Sequence, residues 1–151
     1  MLQAGQKAPD FTGVNEKNET VSLTDYRGKK LILFFYPKDN TPGCTAAACD
    51  LRDNYAELQK MGFELLGVSP DSPKKHTKFI DKFDFPFPLL ADEDKEVLKA
   101  YEAWGRKKFM GREYDGVLRS TYLIDEEGII SHVIDKVKTK NHATQIMDLV
   151  G

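Results

Sequence analysis

Residues Lys30 to Tyr36 read Lys-Leu-Ile-Leu-Phe-Phe-Tyr, an apolar run without polar alternation, and Pro37 closes it. A strand of that composition is buried on both faces, which makes it a central strand between covering layers. After the polar Lys38-Asp39-Asn40 loop, Thr41-Pro42-Gly43 opens a helix, with a capping residue followed by proline at the first helical position. Ala48, Leu51, Tyr55 and Leu58 recur along one helical face, Gly62 stops the helix, and Phe63 to Ser69 supplies a second apolar strand. A strand–helix–strand unit of this length is expected to form a right-handed parallel crossover. That unit commits the chain to an α/β architecture.

The rest of the sequence extends the same plan. Short apolar stretches from Phe11 and Val14 to Thr20-Val21-Ser22-Leu23 flank an Asn-Glu-Lys-Asn turn and predict an N-terminal hairpin. Ser72-Pro73 is a second cap-plus-proline start, for a helix to about Phe83. Phe85 to Leu90, punctuated by Pro86 and Pro88, predicts an extended segment at a sheet edge. Asp92 is positioned to cap a short helix through Leu98 and Tyr101, and Trp104 to Asp115 reads as a charged, irregular insertion. Ser120–Asp125 and Ile129–Ile134 flank Glu126-Glu127-Gly128 as a hairpin, and a helix over about residues 141–150 closes the chain. This is the element order of a thioredoxin-like fold: a central mixed β-sheet flanked by helices, with an N-terminal β-hairpin extension. No repeat, linker or low-complexity tract divides it, so residues 1–151 are expected to form a single domain.

Composition narrows the functional classes. Twenty-four acidic residues against twenty-two basic ones give a net charge of −2, which provides no footprint for nucleic acid or an anionic membrane. The apolar runs are too short to span a bilayer, and the Met1-Leu2-Gln3-Ala4-Gly5-Gln6 start lacks the charged and apolar regions of an export signal. The expectation is an unexported cytoplasmic protein. In a reducing compartment, its two cysteines, Cys44 and Cys49, are more suited to redox or metal chemistry than to a structural staple.

With Thr41 as the cap, Cys44 is the third residue of the helix. Backbone N–H groups there lack intrahelical partners and the helix dipole is positive, so the thiolate is favoured. Ionisation alone is a small effect, about thirtyfold at neutral pH. Fast chemistry at this sulfur therefore needs groups that stabilise a transition state. Cys49 lies five residues further along, roughly 140° round and about 7.5 Å up the axis. The resulting Cα separation of about 8.6 Å exceeds the roughly 7 Å a disulfide tolerates. A Cys44–Cys49 bond requires the first helical turns to unwind.

Other readings of the pair are two inert buried thiols, a metal site or a Cys/His hydrolase. His76, His132 and His142 are too scattered to pair with the cysteines as zinc ligands, and each reads as a surface or packing residue, so no metal is expected.

The stretch Phe35-Tyr36-Pro37-Lys38-Asp39-Asn40-Thr41-Pro42-Gly43-Cys44-Thr45, followed by Cys49-Asp50, resembles the peroxiredoxins, and within them the Q-type or bacterioferritin-comigratory branch. Pro37, Thr41 and Cys44 match the family's Pro-x-x-x-Thr-x-x-Cys motif, and a second cysteine five residues on marks the branch. Ala8-Pro9-Asp10-Phe11 resembles the family's opening strand, and Tyr114 to Asp125 resembles the segment with its active-site arginine, here Arg119. The chain departs from the branch at Thr45-Ala46-Ala47-Ala48, where charged residues are more usual; this removes surface charge and no motif residue.

The resemblance implies a thiol peroxidase. Cys44 would be the peroxidatic cysteine and Cys49 the resolving one, joined in an intramolecular disulfide. Thr41 would hold the peroxide, Arg119 would stabilise the thiolate and the developing oxygen charge, and Pro37 would shield the site. The N–H groups of Gly43 and Cys44 would complete the donors. The implied substrates are hydrogen peroxide and organic hydroperoxides, the implied reductant a thioredoxin-like dithiol, with no bound cofactor and a monomer that dimerises weakly at most. Two other functions use the same cysteines: a general thiol–disulfide oxidoreductase, for which four intervening residues are two too many, and a redox-switched chaperone or sensor.

Overall fold

In the computed structural model, which describes residues 1–150, the apolar run is β3 (Lys30–Phe35), an interior strand of a seven-stranded sheet. Before it come β1 (Thr12–Asn15), β2 (Thr20–Ser22) and a 3-10 turn over Leu23–Tyr26; after it come α1 (Pro42–Asp53), α2 (Tyr55–Lys60) and β4 (Phe63–Ser69). The second half runs α3 (Pro73–Phe83), β5 (Leu89–Ala91), α4 (Glu96–Ala100), β6 (Trp104–Phe109), β7 (Arg112–Val117), β8 (Ser120–Ile124), β9 (Ile130–Ile134) and α5 (His142–Val150). Residue 151, the end of the expected domain, lies outside the described residues.

The main sheet has the order β2-β1-β5-β4-β3-β8-β9. Strand β3 pairs in parallel with β4 and antiparallel with β8, so the sheet is mixed as expected. Alternate residues of β3 feed two cores. Ile32 and Phe34 pack with Ala48, Leu51, Leu58, Phe79 and Ile146, from α1, α2, α3 and α5. Leu31, Leu33 and Phe35 pack on the other face with Leu23, Val97, Leu98 and Tyr101. Every one of these side chains is less than a tenth exposed.

Five details differ from the sequence reading. The helix expected from Pro42 to Gly62 is two helices, because Asn54 competes for its own turn. Its side-chain amide donates to the Asp50 carbonyl at 2.8 Å, the acceptor its backbone N–H would take in a continuous helix, and that N–H turns to Leu51 instead. The proline-rich segment does not form an edge. Pro86 and Pro88 precede β5, which contains no proline and pairs with β1 on one side and β4 on the other.

The Trp104–Asp115 segment is not irregular: it forms most of an antiparallel β6–β7 hairpin. Met110 and Gly111 at its tip have φ of 51° and 79°, as a two-residue primed turn requires. Arg106 faces Glu113 and Asp115 across the strands, so charge pairing takes the place of the apolar alternation that would have signalled strands. Ala8–Phe11 is not itself a strand; β1 begins one residue later, at Thr12. Asp92 does cap α4, but from three residues before the helix boundary, its two oxygens accepting from the Val97 and Leu98 N–H groups.

Candidate active site

Cys44 is placed by the junction between β3 and α1. Pro42 occupies the first position of α1, so Cys44 is third, and the residue is 2% exposed. Two residues upstream of Pro42, Asn40 takes a left-handed φ of 61°, which turns the chain from the strand into the helix. Thr41 has the extended backbone of an N-cap, yet its side chain does not cap the helix. Its hydroxyl donates to the Lys38 carbonyl at 2.8 Å. This corrects the expectation of ordinary capping, and it has a chemical consequence. With its proton committed to Lys38, the Thr41 oxygen offers the site an acceptor.

Arg119 reaches the same place from the other direction. Strands β3 and β8 are antiparallel with Phe35 opposite Ser120, so the residue before β8 lies beside the residues that follow β3. Arg119 Nη2 donates to the Cys44 sulfur at 3.3 Å. Its Nη1 is buried without a hydrogen-bond partner among the described residues. Gly43 lies beside the guanidinium: a Cβ there would stand 3.4 Å from Nη2, in contact with it. The structure thus brings Thr41, Gly43, Cys44 and Arg119 together. Pro37 is half-buried and ends the strand that carries the loop.

The surroundings are electropositive. Lys107 on β6 is held below the ordinary lysine range by burial and by the Arg119 charge, against the opposing pull of Cys44. His142 is buried at the start of α5, its Nε2 2.8 Å from the Thr121 hydroxyl. Burial, with the Arg119 charge adding to it against the Ala47 carbonyl, pushes His142 down to about 4. It is therefore neutral at pH 7, and the local positive charge belongs to Arg119 and Lys107.

Cys49 sits on α1 as well, half-buried, and the two sulfurs are not bonded to each other. Burial raises the Cys49 thiol above its ordinary value, partly offset by Arg52. Its neighbour Asp50 accepts from the Ala143 N–H at 2.7 Å, tying the middle of α1 to the first turn of α5.

The AhpC/TSA family model matches residues 4–133. The chain is 50% identical over 147 residues to the bcp peroxiredoxin of Haemophilus influenzae, covering 97% of this chain and 95% of that one. It belongs to the AhpC/TSA family, as a peroxiredoxin. Peroxiredoxin Bcp of Escherichia coli K12 is 46% identical over 147 residues, 97% of this chain and 94% of that protein. The fold agrees: a solved structure of the Xanthomonas campestris bacterioferritin comigratory protein, studied for its alkyl peroxide reduction activity, superposes with a TM-score of 0.90. It is 33% identical, across 97% of this chain and 96% of that one. The thioredoxin-like architecture and the enzyme class, a thiol-dependent peroxidase, follow from these likenesses.

Sequence reasoning about this peroxiredoxin missed two buried histidines. His142 gave no signal, because nothing in the spacing of residues 121 and 142 shows that they touch. His76, fully buried, meets Asp39 and Asp71, and the three place ligating atoms within 4.8 Å of one another. All three are already engaged by hydrogen bonds from the protein, so the group is a polar network rather than a free ligand set. His132 is half-buried and bonds to Ser131.

Proposed function

We propose that Cys44 is the peroxidatic cysteine and that Arg119 and Thr41 orient and polarise the peroxide it attacks. The observation that carries this reading is the 3.3 Å contact between Arg119 Nη2 and the Cys44 sulfur, with Arg119 Nη1 left over as a buried donor. The Cys44 thiolate attacks the terminal oxygen of ROOH, the O–O bond breaks, and RO⁻ leaves and takes a proton to become ROH. Negative charge passes from sulfur to the leaving oxygen in that step. Donors already fixed at both ends lower its barrier without reorganising. The free N–H groups of the first turn of α1, at Gly43 and Cys44, add to the donor set. Thr41, whose hydroxyl proton is committed, accepts from the peroxide O–H. Pro37 covers the site from the strand side and limits access of water.

The product, Cys44 sulfenic acid, is resolved by Cys49 with loss of water to an intramolecular disulfide. Both cysteines lie in intact α1, so this step requires the first turns of the helix to unwind. Unwinding also relieves the burial that holds the Cys49 thiol up, releasing the thiolate that attack needs. A thioredoxin-like dithiol then reduces the disulfide. Substrates are hydrogen peroxide and organic hydroperoxides, and no cofactor is required.

Residues 1–151 act as one catalytic domain, in the cytoplasm, where a dithiol pool is available. The chain works as a monomer with weak self-association at most. Among the described residues, the large exposed apolar side chains are Met110 and Tyr114 on the hairpin, Leu149 on α5, and Met1. The test is peroxide turnover coupled to thioredoxin and thioredoxin reductase. Cys44→Ser abolishes it, whereas Cys49→Ser still oxidises Cys44 once. Normal cycling by Cys44→Ser overturns the assignment.

A further inference from the structure

Five residues before Cys44, Asp39 is the hub of a buried network that the chemistry above does not use. The Tyr36 hydroxyl donates to Asp39 Oδ1 at 2.6 Å, and His76 Nδ1 lies 2.6 Å from Oδ2. The Asp39 backbone N–H donates to Asp71 Oδ2 at 2.8 Å, and the Ser69 hydroxyl donates to the same oxygen at 2.7 Å. His76 Nε2 lies 2.9 Å from the Leu90 carbonyl. A carbonyl can only accept, so Nε2 carries a proton, and a second proton lies between Nδ1 and the Asp39 carboxylate. His76 is fully buried, Asp39 8% and Asp71 7% exposed.

The geometry explains what the network holds. Tyr36 follows β3 and His76 is on α3, and both meet the Asp39 carboxylate; Ser69, at the end of β4, reaches Asp39 through Asp71, and Leu90 on β5 reaches it through His76. The loop itself, residues 37–41, lies outside the strands and helices, and the Thr41 carbonyl accepts from the Thr45 N–H at 2.8 Å where α1 begins. Lys38, next to Asp39, supplies the carbonyl to which Thr41 donates. An anchored Asp39 therefore fixes Lys38, Lys38 fixes the Thr41 hydroxyl, and Thr41 sets where α1 starts. Since the buried carboxylate and imidazole satisfy each other, loss of either partner leaves a buried polar group unpaired.

We propose that Asp39 and His76 are positioning residues for the peroxide reaction: a latch that holds residues 37–41, and through them Thr41 and the first turn of α1. The latch holds the start of the same turn that must unwind before Cys44 meets Cys49, so it serves the attack step and does not assist the resolving step. This inference rests on the peroxidatic role of Cys44.

The experiment measures two rates by rapid mixing, acid quench and intact mass: oxidation of reduced Cys44 by hydrogen peroxide, and closure of the Cys44–Cys49 disulfide from the sulfenic acid. His76→Leu and Asp39→Ala, each confirmed folded by circular dichroism, slow oxidation at least tenfold and leave closure as fast as in the wild type or faster. Asp39→Asn keeps the shape: its amide donates to His76 Nδ1 while Nε2–H still meets Leu90, so its oxidation rate stays within about threefold of the wild type. Should His76→Leu not fold, Asp39→Ala, which removes the buried charge together with the latch, carries the same comparison. Unchanged oxidation in a folded latch variant overturns the proposal, as does equal slowing of both steps or an Asp39→Asn rate as low as that of Asp39→Ala. The wild type in the same run reports on the peroxidase chemistry itself, so a slow variant beside a fast wild type concerns the latch alone.

Discussion

Arg119 Nη2 donates to the Cys44 sulfur at 3.3 Å across seventy-five residues of chain. The antiparallel β3–β8 register makes this contact, and one helix turn receives it. Arg119→Met removes the donor to the Cys44 sulfur and the buried Nη1, which has no hydrogen-bond partner among the described residues. The second-order rate constant for oxidation by hydrogen peroxide is expected to fall about 10²–10³-fold, the usual cost of losing a charge-stabilising donor. Stopped-flow oxidation kinetics, with the far-UV spectrum unchanged, check it.

Cys49 should behave as a reluctant thiol while α1 is helical. Burial raises it above its ordinary value of 9.0, so the thiolate appears only at higher pH. In Cys44→Ser, which leaves Cys49 as the single thiol, iodoacetamide labelling of the native protein rises at higher pH than labelling of the same chain in denaturant. Coincident profiles would show that the helix does not restrain Cys49.

His142 links stability to pH. Its value falls from 6.5 to about 4 on folding, so between those limits the unfolded chain binds a proton that the folded chain refuses. The stabilisation is present above pH 6.5 and drains away as pH falls towards 4, by at most about 3 kcal/mol. Denaturant titrations from pH 4 to 7.5 check this against His142→Gln, which cannot titrate. The wild type loses more stability on acidification than the variant does.

Gly67 on β4 admits no side chain. A Cβ there would stand 2.6 Å from Leu89 Cδ2 and 2.7 Å from Phe34 Cζ, both in the filled core. Gly67→Ala is expected to cost about 1–3 kcal/mol by overpacking, measured as a lower denaturation midpoint with an unchanged slope.

The elements built from local chemistry were legible in the sequence. The apolar run of β3, the proline-initiated α1 and α3 and the Gly128 hairpin each carry their cause within a few residues. So does the position of Cys44 in the first turn. Arg119 and Pro37 entered by resemblance, because no local pattern says that residue 119 meets residue 44; only the β3–β8 register does. The β6–β7 hairpin was hidden by charges that pair across strands, and the break at Asn54 by a side chain that competes for one carbonyl. The Asp39–His76 pair was illegible for the same reason as Arg119: thirty-seven residues separate two groups whose whole role lies in their contact.

Attack on a peroxide by Cys44 and resolution by Cys49 within one chain are tested together in a single turnover. One equivalent of hydrogen peroxide is added to the fully reduced protein, and free thiols and intact mass are followed from milliseconds to minutes. Both thiols and two hydrogens are expected to be lost rapidly, with no oxygen retained. Thiols that survive for minutes, or a single added oxygen that persists with Cys49 intact, would contradict this mechanism.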